Sequence, residues 1–145
     1  MQSPLKYPAF NMALRKKDGQ TYVQDLVRKK WLVLSPEEFV RQHLLYYLMT
    51  VKQYPASLIA VEKELRLNDL KKRYDLVVYD RNKQPYLLVE CKAPYIDLNE
   101  TVIEQALRYN LVLNAPLLMI TNGVSDVVFT STQQVVELPT YTNSE

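Results

Sequence analysis

Three ionisable residues, Asp75, Glu90 and Lys92, have side chains that together could hydrolyse a phosphodiester. Two carboxylates, a backbone carbonyl and water molecules form the all-oxygen ligand set that Mg²⁺ prefers. The carbonyl could come from Cys91, which lies between the second carboxylate and the lysine. A metal held in this way polarises a phosphoryl oxygen and activates a bound water. The lysine could orient that water or stabilise the charge that develops on the phosphate. The trio therefore predicts metal-dependent hydrolysis of DNA.

The elements around the trio explain how residues so far apart in sequence would meet. DLVVYD and YLLVECK read as two strands joined by the turn RNKQP, so a β-hairpin is predicted. Reflecting Asp75 about the turn centre near Lys83 places it near Cys91. Glu90 and Lys92 are two residues apart on one strand and should share a face. An aspartate followed at some distance by Glu-x-Lys is common by chance. The prediction of a metal site therefore depends on the hairpin, which should set Asp75 level with Glu90 and Lys92 on the neighbouring strand.

A capped helix and a strand precede this hairpin. Ser35 is the predicted cap, Pro36 suits the first helical position, and Glu38 follows the cap by three residues, as in a capping box. The helix should run to about residue 53, where a Tyr-Pro pair ends it. SLIAVEKEL then alternates apolar and polar residues, which predicts a half-buried strand with Glu62 and Glu64 on its solvated face.

The remaining segments complete an α/β prediction. ALRKKDGQTYVQD reads as a small N-terminal β-hairpin with an Asp-Gly turn. A helix is expected from Asn99 to about Leu113, with Asp97 and Glu100 as its capping box. PLLMITNG should pair parallel to an earlier strand through a right-handed crossover, and VVFTS and QVVEL add an antiparallel edge. The result is a mixed β-sheet of three antiparallel strands plus one parallel strand, flanked by helices.

Length and composition limit the other classes of function. The 145 residues, 48% of them hydrophobic and 23% charged, predict one globular domain over residues 1–145. The single Cys91 and single His43 exclude a disulfide framework and a zinc site built from cysteines or histidines. The net charge of +2 is too small to indicate a nucleic-acid partner by itself. No signal peptide and no membrane-length apolar run is present, so a cytoplasmic protein without membrane contact is expected.

These segments resemble a known family. RYDLVVYD followed by YLLVECKAP is similar to the PD-(D/E)xK nuclease superfamily, and more narrowly to the N-terminal nuclease domain of the type I restriction enzyme R subunit. The similarity extends through SPEEFVRQHLLYYL, LIAVEKEL, EQALRYN and ITNG, about residues 34–123. It implies a restriction-endonuclease-like core and an endonuclease that uses Mg²⁺ or Mn²⁺ on DNA. Other restriction-modification subunits or a second copy of the chain are the further partners that it implies.

Carried over by position, the resemblance implies metal ligands at Asp75 and Glu90 and a catalytic lysine at Lys92. Tyr74 stands where the superfamily has its proline, a small chemical difference because only the carboxylate binds metal. Glu38 fits the acidic residue that the first helix of such nucleases often places near the metal, and its alternative role is the helix cap.

A second group of residues has two open interpretations. Gln105 and Tyr109 resemble the Q-x-x-x-Y element that lies near the active site and the DNA backbone in some branches of the superfamily. They are one helical turn apart and could equally make a plain helix-surface contact. Lys72 and Arg73, just before Asp75, could contact phosphates beside the scissile bond or belong to a solvated turn.

Three alternatives to a nuclease stay open. The trio could be an exposed cross-strand ion pair, which contributes little to stability. The chain could be a catalytically inactive nucleic-acid-binding or assembly module of the same fold. It could also be a structural domain that dimerises through its apolar edge strands.

Overall fold

A computed structural model describes residues 5–142 of the protein. The first of its two β-sheets is formed by residues near the N-terminus. That sheet has three antiparallel strands, β1 (Leu14–Lys17), β2 (Gln20–Gln24) and β3 (Trp31–Val33). Asp18 and Gly19 both have positive φ, 52° and 78°, as the tight turn of a two-residue hairpin requires. The predicted hairpin is confirmed, but it is incomplete, because the apolar run after β2 pairs along it as a third strand.

The second sheet has six strands, ordered in space as they are in the chain. They are β4 (Ile59–Leu67), β5 (Leu70–Tyr79), β6 (Pro85–Cys91), β7 (Leu117–Thr121), β8 (Asp126–Thr130) and β9 (Val135–Val136). Neighbouring strands pair antiparallel except β6 and β7, which are parallel. The predicted mixed sheet, with its parallel strand and its antiparallel edge, is confirmed. A parallel pair needs a crossover connection, and a helix lies between β6 and β7.

Within residues 5–142, two α-helices pack on opposite faces of this sheet. The first, α1 (Pro36–Thr50), belongs to an apolar group that we name the α1-side cluster, whose members include Val40, Leu44, Leu45, Leu48, Leu76, Val78, Leu87, Val89 and Cys91. The second, α2 (Glu100–Leu113), belongs to the α2-side cluster, which includes Tyr74, Val77, Leu88, Ala106, Leu118 and Ile120. Neither helix is long and apolar enough to span a bilayer.

Both helices begin at a capping side chain, but only one of the two predicted caps is correct. The Ser35 hydroxyl accepts a hydrogen bond from the Glu38 backbone N–H at 3.0 Å, as predicted. The predicted capping box of Asp97 and Glu100 is wrong. The cap of α2 is Asn99, whose side-chain oxygen accepts from the N–H three residues later at 3.0 Å. Asparagine serves as well as aspartate here because only a short acceptor is needed.

The basic run before Asp75 lies in a strand, so its interpretation as a solvated turn is wrong. Strand β5 begins at Leu70, and Lys72 and Arg73 pair across from Leu65 and Glu64 of β4. Pairing extends through these charged residues because a tight turn joins the two strands directly. Since side chains alternate along a strand, Lys72 and Arg73 point to opposite faces of the sheet.

This alternation is interrupted where β5 reaches Asp75. Leu76 packs in the α1-side cluster, and regular alternation would place Tyr74 there too, but Tyr74 packs in the α2-side cluster. Glu62, across from Asp75 on β4, has φ 54°, in the left-handed region that residues other than glycine rarely adopt. Irregularities of this kind cluster next to functional sites, where they redirect a side chain. Asp75 is the side chain redirected here.

Candidate active site

Asp75 reaches the end of the neighbouring strand, as the hairpin geometry predicted. Leu76 pairs with Val89 across β5 and β6, and one further step in this register sets Asp75 opposite Glu90. Asp75 Oδ2 accepts a hydrogen bond from the Cys91 backbone N–H at 2.7 Å. The contact joins the aspartate to the short segment that carries both Glu90 and Lys92.

A cavity of about 170 Å³ lies between this strand end and α2. Its lining includes five of the residues that the sequence singled out, namely Lys72, Glu90, Lys92, Gln105 and Tyr109. The predicted element on α2 therefore lines the same cavity as the Glu-x-Lys segment, with Gln105 exposed and Tyr109 half-buried. Asp75 is not part of this lining, and the guanidinium that approaches it belongs to α1.

The two lysines at the cavity differ in their partners. Lys72 Nζ lies 3.2 Å from Glu90 Oε1 and about 5 Å from the ring centroids of Tyr74 and Tyr109. The Lys92 ammonium forms no hydrogen bond or ion pair with any residue in the described range 5–142. Glu90 is therefore neutralised by Lys72, and the charge of Lys92 is left to face the cavity.

The charge of Asp75 is only partly compensated. Burial raises the pKa of its carboxyl group. The Cys91 N–H and the Arg41 guanidinium, 3.9 Å away, oppose that rise, whereas the charge of Glu90 adds to it, and the net pKa is raised. Additional positive charge would stabilise the ionised form of a carboxyl group whose pKa is raised in this way. Shifted pKa values of this kind are common at functional sites.

Arg41 of α1 lies at the centre of the carboxylates on this side. Its guanidinium donates to both carboxylate oxygens of Glu38 and lies 3.9 Å from an oxygen of Glu62 and 3.9 Å from one of Asp75. Only 7% of its side chain is exposed. Three acidic side chains from one helix and two strands thus share one buried cation.

Arg41 was not predicted as a site residue, although the sequence contains a signal for it. Arg41, Leu44 and Leu48 follow helical spacing, so the arginine falls on the buried stripe of α1. An arginine on such a stripe needs a buried acidic partner, because an uncompensated charge is costly to bury. That requirement alone would have pointed to a charged site beneath the helix.

The Glu38 carboxylate is held by this arginine and does not complete a capping box. The Ser35 N–H donates to a backbone carbonyl of β3 instead of to Glu38, so that half of the predicted capping box is wrong. Gln42 also donates to Glu38, at 2.8 Å, and to Asp25, at 2.9 Å. Glu38 therefore lies one side chain away from Asp75, with Arg41 between them.

The prediction that Glu62 lies on a solvated strand face is wrong. Glu62 accepts a hydrogen bond from Arg28 at 2.8 Å, and its second oxygen lies 3.5 Å from Arg73 and 3.9 Å from Arg41. Burial raises the pKa of Glu62, but the Arg28 hydrogen bond and the neighbouring arginines outweigh it and the net pKa is lowered. The left-handed backbone at Glu62 brings it to the arginines, a conformation that polar-apolar alternation cannot reveal.

Asp25 should make the stability of the protein depend on pH. Burial raises the pKa of this carboxyl group, but hydrogen bonds from the Arg28 N–H and the Gln42 amide outweigh it, and the net pKa lies below the usual 3.8. We expect Asp25→Asn to lower the free energy of unfolding at pH 7 by about 1.5–3 kcal/mol, the range for hydrogen bonds to a charged group. Urea unfolding would measure this loss.

The sign of the pH effect follows from linkage. A carboxyl group with a lowered folded-state pKa stabilises the fold above about pH 4, and that stabilisation is lost as the pH falls through the folded value. The gap between wild type and Asp25→Asn should therefore shrink below about pH 4. Asp69→Asn, in an exposed turn, is the control. A gap that stays constant down to pH 2 would contradict this assignment.

Cys91 should be unreactive in the folded protein. Its thiol is buried, and burial together with the charge of Asp75 raises its pKa well above the usual 9.0. A thiol reacts as its thiolate, so we expect modification by Ellman's reagent to be at least about 100-fold slower in the native state than in urea. Because it is the only cysteine, the assay reports this site alone. Equal rates in both states would contradict its burial.

A known protein family matches the part of the chain that contains the candidate site. The family described as type I restriction enzyme R protein N terminus matches residues 36–141. The chain belongs to this family. The match includes α1, the whole six-stranded sheet and every candidate residue from Glu38 to Tyr109. It confirms the resemblance inferred from the sequence, and it places the chain among nuclease-type domains of restriction-modification systems. No match to the chain is found among curated proteins.

Proposed function

We propose that this chain is a metal-dependent DNA endonuclease domain with a restriction-endonuclease-like core. Asp75, Glu90 and the Cys91 carbonyl would hold Mg²⁺ or Mn²⁺, and Lys92 would act on the reacting phosphate. The observation that carries the proposal is the 2.7 Å hydrogen bond from the Cys91 N–H to Asp75, which links that carboxylate to the Glu-x-Lys segment. Membership of the restriction family supports the reaction class and DNA as the substrate.

The donor atoms at this strand end fit a hard divalent cation. In residues 5–142, no group of three or more His, Cys, Asp or Glu side chains is placed to hold a metal. Mg²⁺ commonly uses only one or two carboxylates and keeps several waters, so Asp75 and Glu90 with one carbonyl suffice. In an antiparallel ladder the N–H and C=O of one residue face the same neighbouring strand, so the Cys91 carbonyl faces β5 as its N–H does.

The charges around the two carboxylates also fit a cation. The charge of Glu90 helps to raise the pKa of Asp75, and each of the two carboxylates lies beside a basic side chain, Arg41 and Lys72 respectively. Positive charge is therefore already required at this strand end. A divalent ion would meet the same requirement and would release Lys72 for another partner.

Side chains of the protein would supply the catalytic and DNA-positioning roles that the metal does not. A bound Mg²⁺ polarises a phosphoryl oxygen and lowers the pKa of a bound water. Lys92, whose ammonium faces the cavity, stabilises charge on the phosphate oxygens or orients the attacking water. Gln105 and Tyr109 form the α2 wall of that cavity and would position the DNA backbone. Lys72 and Arg73 add positive charge, the first inside the cavity and the second at the exposed face of β5.

Nicking of supercoiled plasmid DNA tests the proposal. Wild type should nick in Mg²⁺ or Mn²⁺ and not in EDTA, and Asp75→Asn and Glu90→Gln should each remove the activity. Glu64→Gln is the matched control, because Glu64 is an acidic residue on the adjacent strand that pairs only with Arg66 in the described structure. Equal nicking by wild type and Asp75→Asn would reject the proposed site.

One observation favours a second candidate, a catalytically inactive nucleic-acid-binding or assembly module. Lys72 on Glu90 and Arg41 beside Asp75 supply positive charge from the chain itself, so the carboxylates can be accommodated without a metal. This function predicts salt-sensitive DNA binding with no metal-dependent cleavage. The plasmid assay separates it from the first.

A further inference from the structure

Positive charge is concentrated in the small N-terminal sheet. Residues 14–33 contain six Lys or Arg and two Asp, a net charge of +4, whereas residues 34–145 contain 11 Lys or Arg and 14 Asp or Glu, a net charge of −3. Five of these cations are exposed and form no ion pair with any residue from 5 to 142, namely Arg15, Lys16, Lys17, Lys29 and Lys30. Unpaired cations gathered on one small element are available to an anionic partner.

Two of these cations, Arg15 and Lys17, lie on the outer face of the sheet. Val23, only 1% exposed, marks the inner face, so alternation along β2 places Tyr22 on the outer face. Arg15 pairs across from Tyr22, and its guanidinium carbon lies 4.1 Å from the centroid of the Trp31 ring. An arginine stacked on an aromatic ring is held in place with its donors free, which suits bidentate contact with a phosphate.

The turn that follows β2 carries two further exposed cations and adjoins the candidate active site. Lys29 and Lys30 lie in the turn after β2, which Asp25 holds by accepting from two of its N–H groups. Arg28 of the same turn donates to Glu62, one of the carboxylates around Arg41. A polyanion seated at the active site could therefore continue directly onto this turn.

We propose that Arg15 and Lys17 on the outer face, together with the exposed Lys29 and Lys30 in the adjoining turn, bind the phosphate backbone of duplex DNA beside the cleavage site, and we name these four residues the basic face. The proposal rests on the proposed function for its ligand and adds a contact surface separate from the metal ligands. Charge complementarity supports duplex DNA as the occupant. The five residues of β2 span roughly 16 Å, a length over which a duplex presents about nine phosphate charges.

Binding to a short duplex in EDTA tests the basic face without any cleavage. Trp31 is the only tryptophan and lies under Arg15, so its fluorescence should change on binding and reports this surface alone. Each phosphate contact contributes about 0.9 to the slope of log affinity against log salt. Replacing all four residues of the basic face with glutamine should therefore reduce that slope by about 3 to 4.

Adjacent lysines provide a matched control. Lys16 and Lys17 carry the same charge on the same strand but point to opposite faces. Lys17→Gln should reduce the slope by about 0.9, and Lys16→Gln should leave it nearly unchanged. Equal effects of the two variants would overturn the proposal, as would an unchanged slope in the fourfold variant or no binding by wild type.

The outcome is independent of the nuclease test. A reduced slope in the fourfold variant, with no plasmid nicking by wild type, would support DNA binding by the basic face and reject the nuclease proposal. Plasmid nicking by wild type, with an unchanged slope in the fourfold variant, would support the nuclease proposal and reject DNA binding by the basic face. Asp69→Asn, in the exposed turn between β4 and β5, should keep the wild-type slope in EDTA, because that carboxylate belongs neither to the metal site nor to the basic face. Circular dichroism of each variant confirms that it is folded.

Discussion

Replacing Lys92 with alanine should lower the rate of metal-dependent DNA nicking by about 10²–10³-fold, the usual cost of removing one charge-stabilising donor. The Lys92 ammonium has no partner within residues 5–142, so the fold does not depend on it. It lines the cavity beside Glu90, where the charge of the reacting phosphate would develop. The loss should therefore appear in the chemical step and not in stability.

Single-turnover nicking, measured alongside Mn²⁺ binding by titration calorimetry, separates these effects. Lys92→Ala should bind Mn²⁺ as well as wild type or more tightly, because a nearby positive charge has been removed. Lys83→Ala, in the β5–β6 turn at the far end of the hairpin, is the control and should nick at the wild-type rate. An unchanged rate in Lys92→Ala would contradict the role assigned to the lysine.

Arg41→Ala should destabilise the protein by about 3–5 kcal/mol, the cost of breaking a buried ion pair by removing one partner. Arg41 and Glu38 are each 7% exposed, and Arg41 is the cation that Glu38 contacts. Removing it leaves the Glu38 carboxylate buried with only the Gln42 amide as a donor among the described side chains. Urea unfolding measures the loss directly.

Two further variants show whether the effect comes from the buried charge. Arg66→Ala breaks a similar short-range pair with Glu64, but its side chain is 70% exposed, so the expected loss is at most about 1 kcal/mol. Glu38→Gln with Arg41→Met removes both charges and should recover part of the stability lost in Arg41→Ala. A loss in Arg41→Ala no larger than that in Arg66→Ala would show that the network does not stabilise the fold.

Local signals were sufficient to predict most of the elements. The Ser35 cap, the Asp-Gly turn and the alternating apolar residues depend on interactions within a few positions, and the structure has each of them. The parallel pairing of β6 and β7 also followed from the chain, because a helix between two strands requires a crossover. The meeting of Asp75 with the Glu90 strand followed from the hairpin register, to within one residue.

The charge balance of the site could not be predicted in this way. It depends on how α1 packs over β4 and β5, which brings Arg41 within 3.9 Å of Asp75 and Glu62. It also depends on the left-handed backbone at Glu62 and the interrupted alternation at Asp75. These features arise from contacts distant in sequence, so strand periodicity assigned Glu62 to solvent. The exchange of Asp97 for Asn99 as helix cap is a smaller, local error.

The most direct test of a shared metal at Asp75 and Glu90 is a crystal soaked in Mn²⁺ and measured for anomalous scattering. We expect one strong peak between the two carboxylates and the Cys91 carbonyl, with octahedral oxygen ligands at about 2.1 Å. Lys72 should then have moved away from Glu90, since the ion replaces its charge. A crystal with no such peak, in which Lys72 still contacts Glu90, would contradict the metal site.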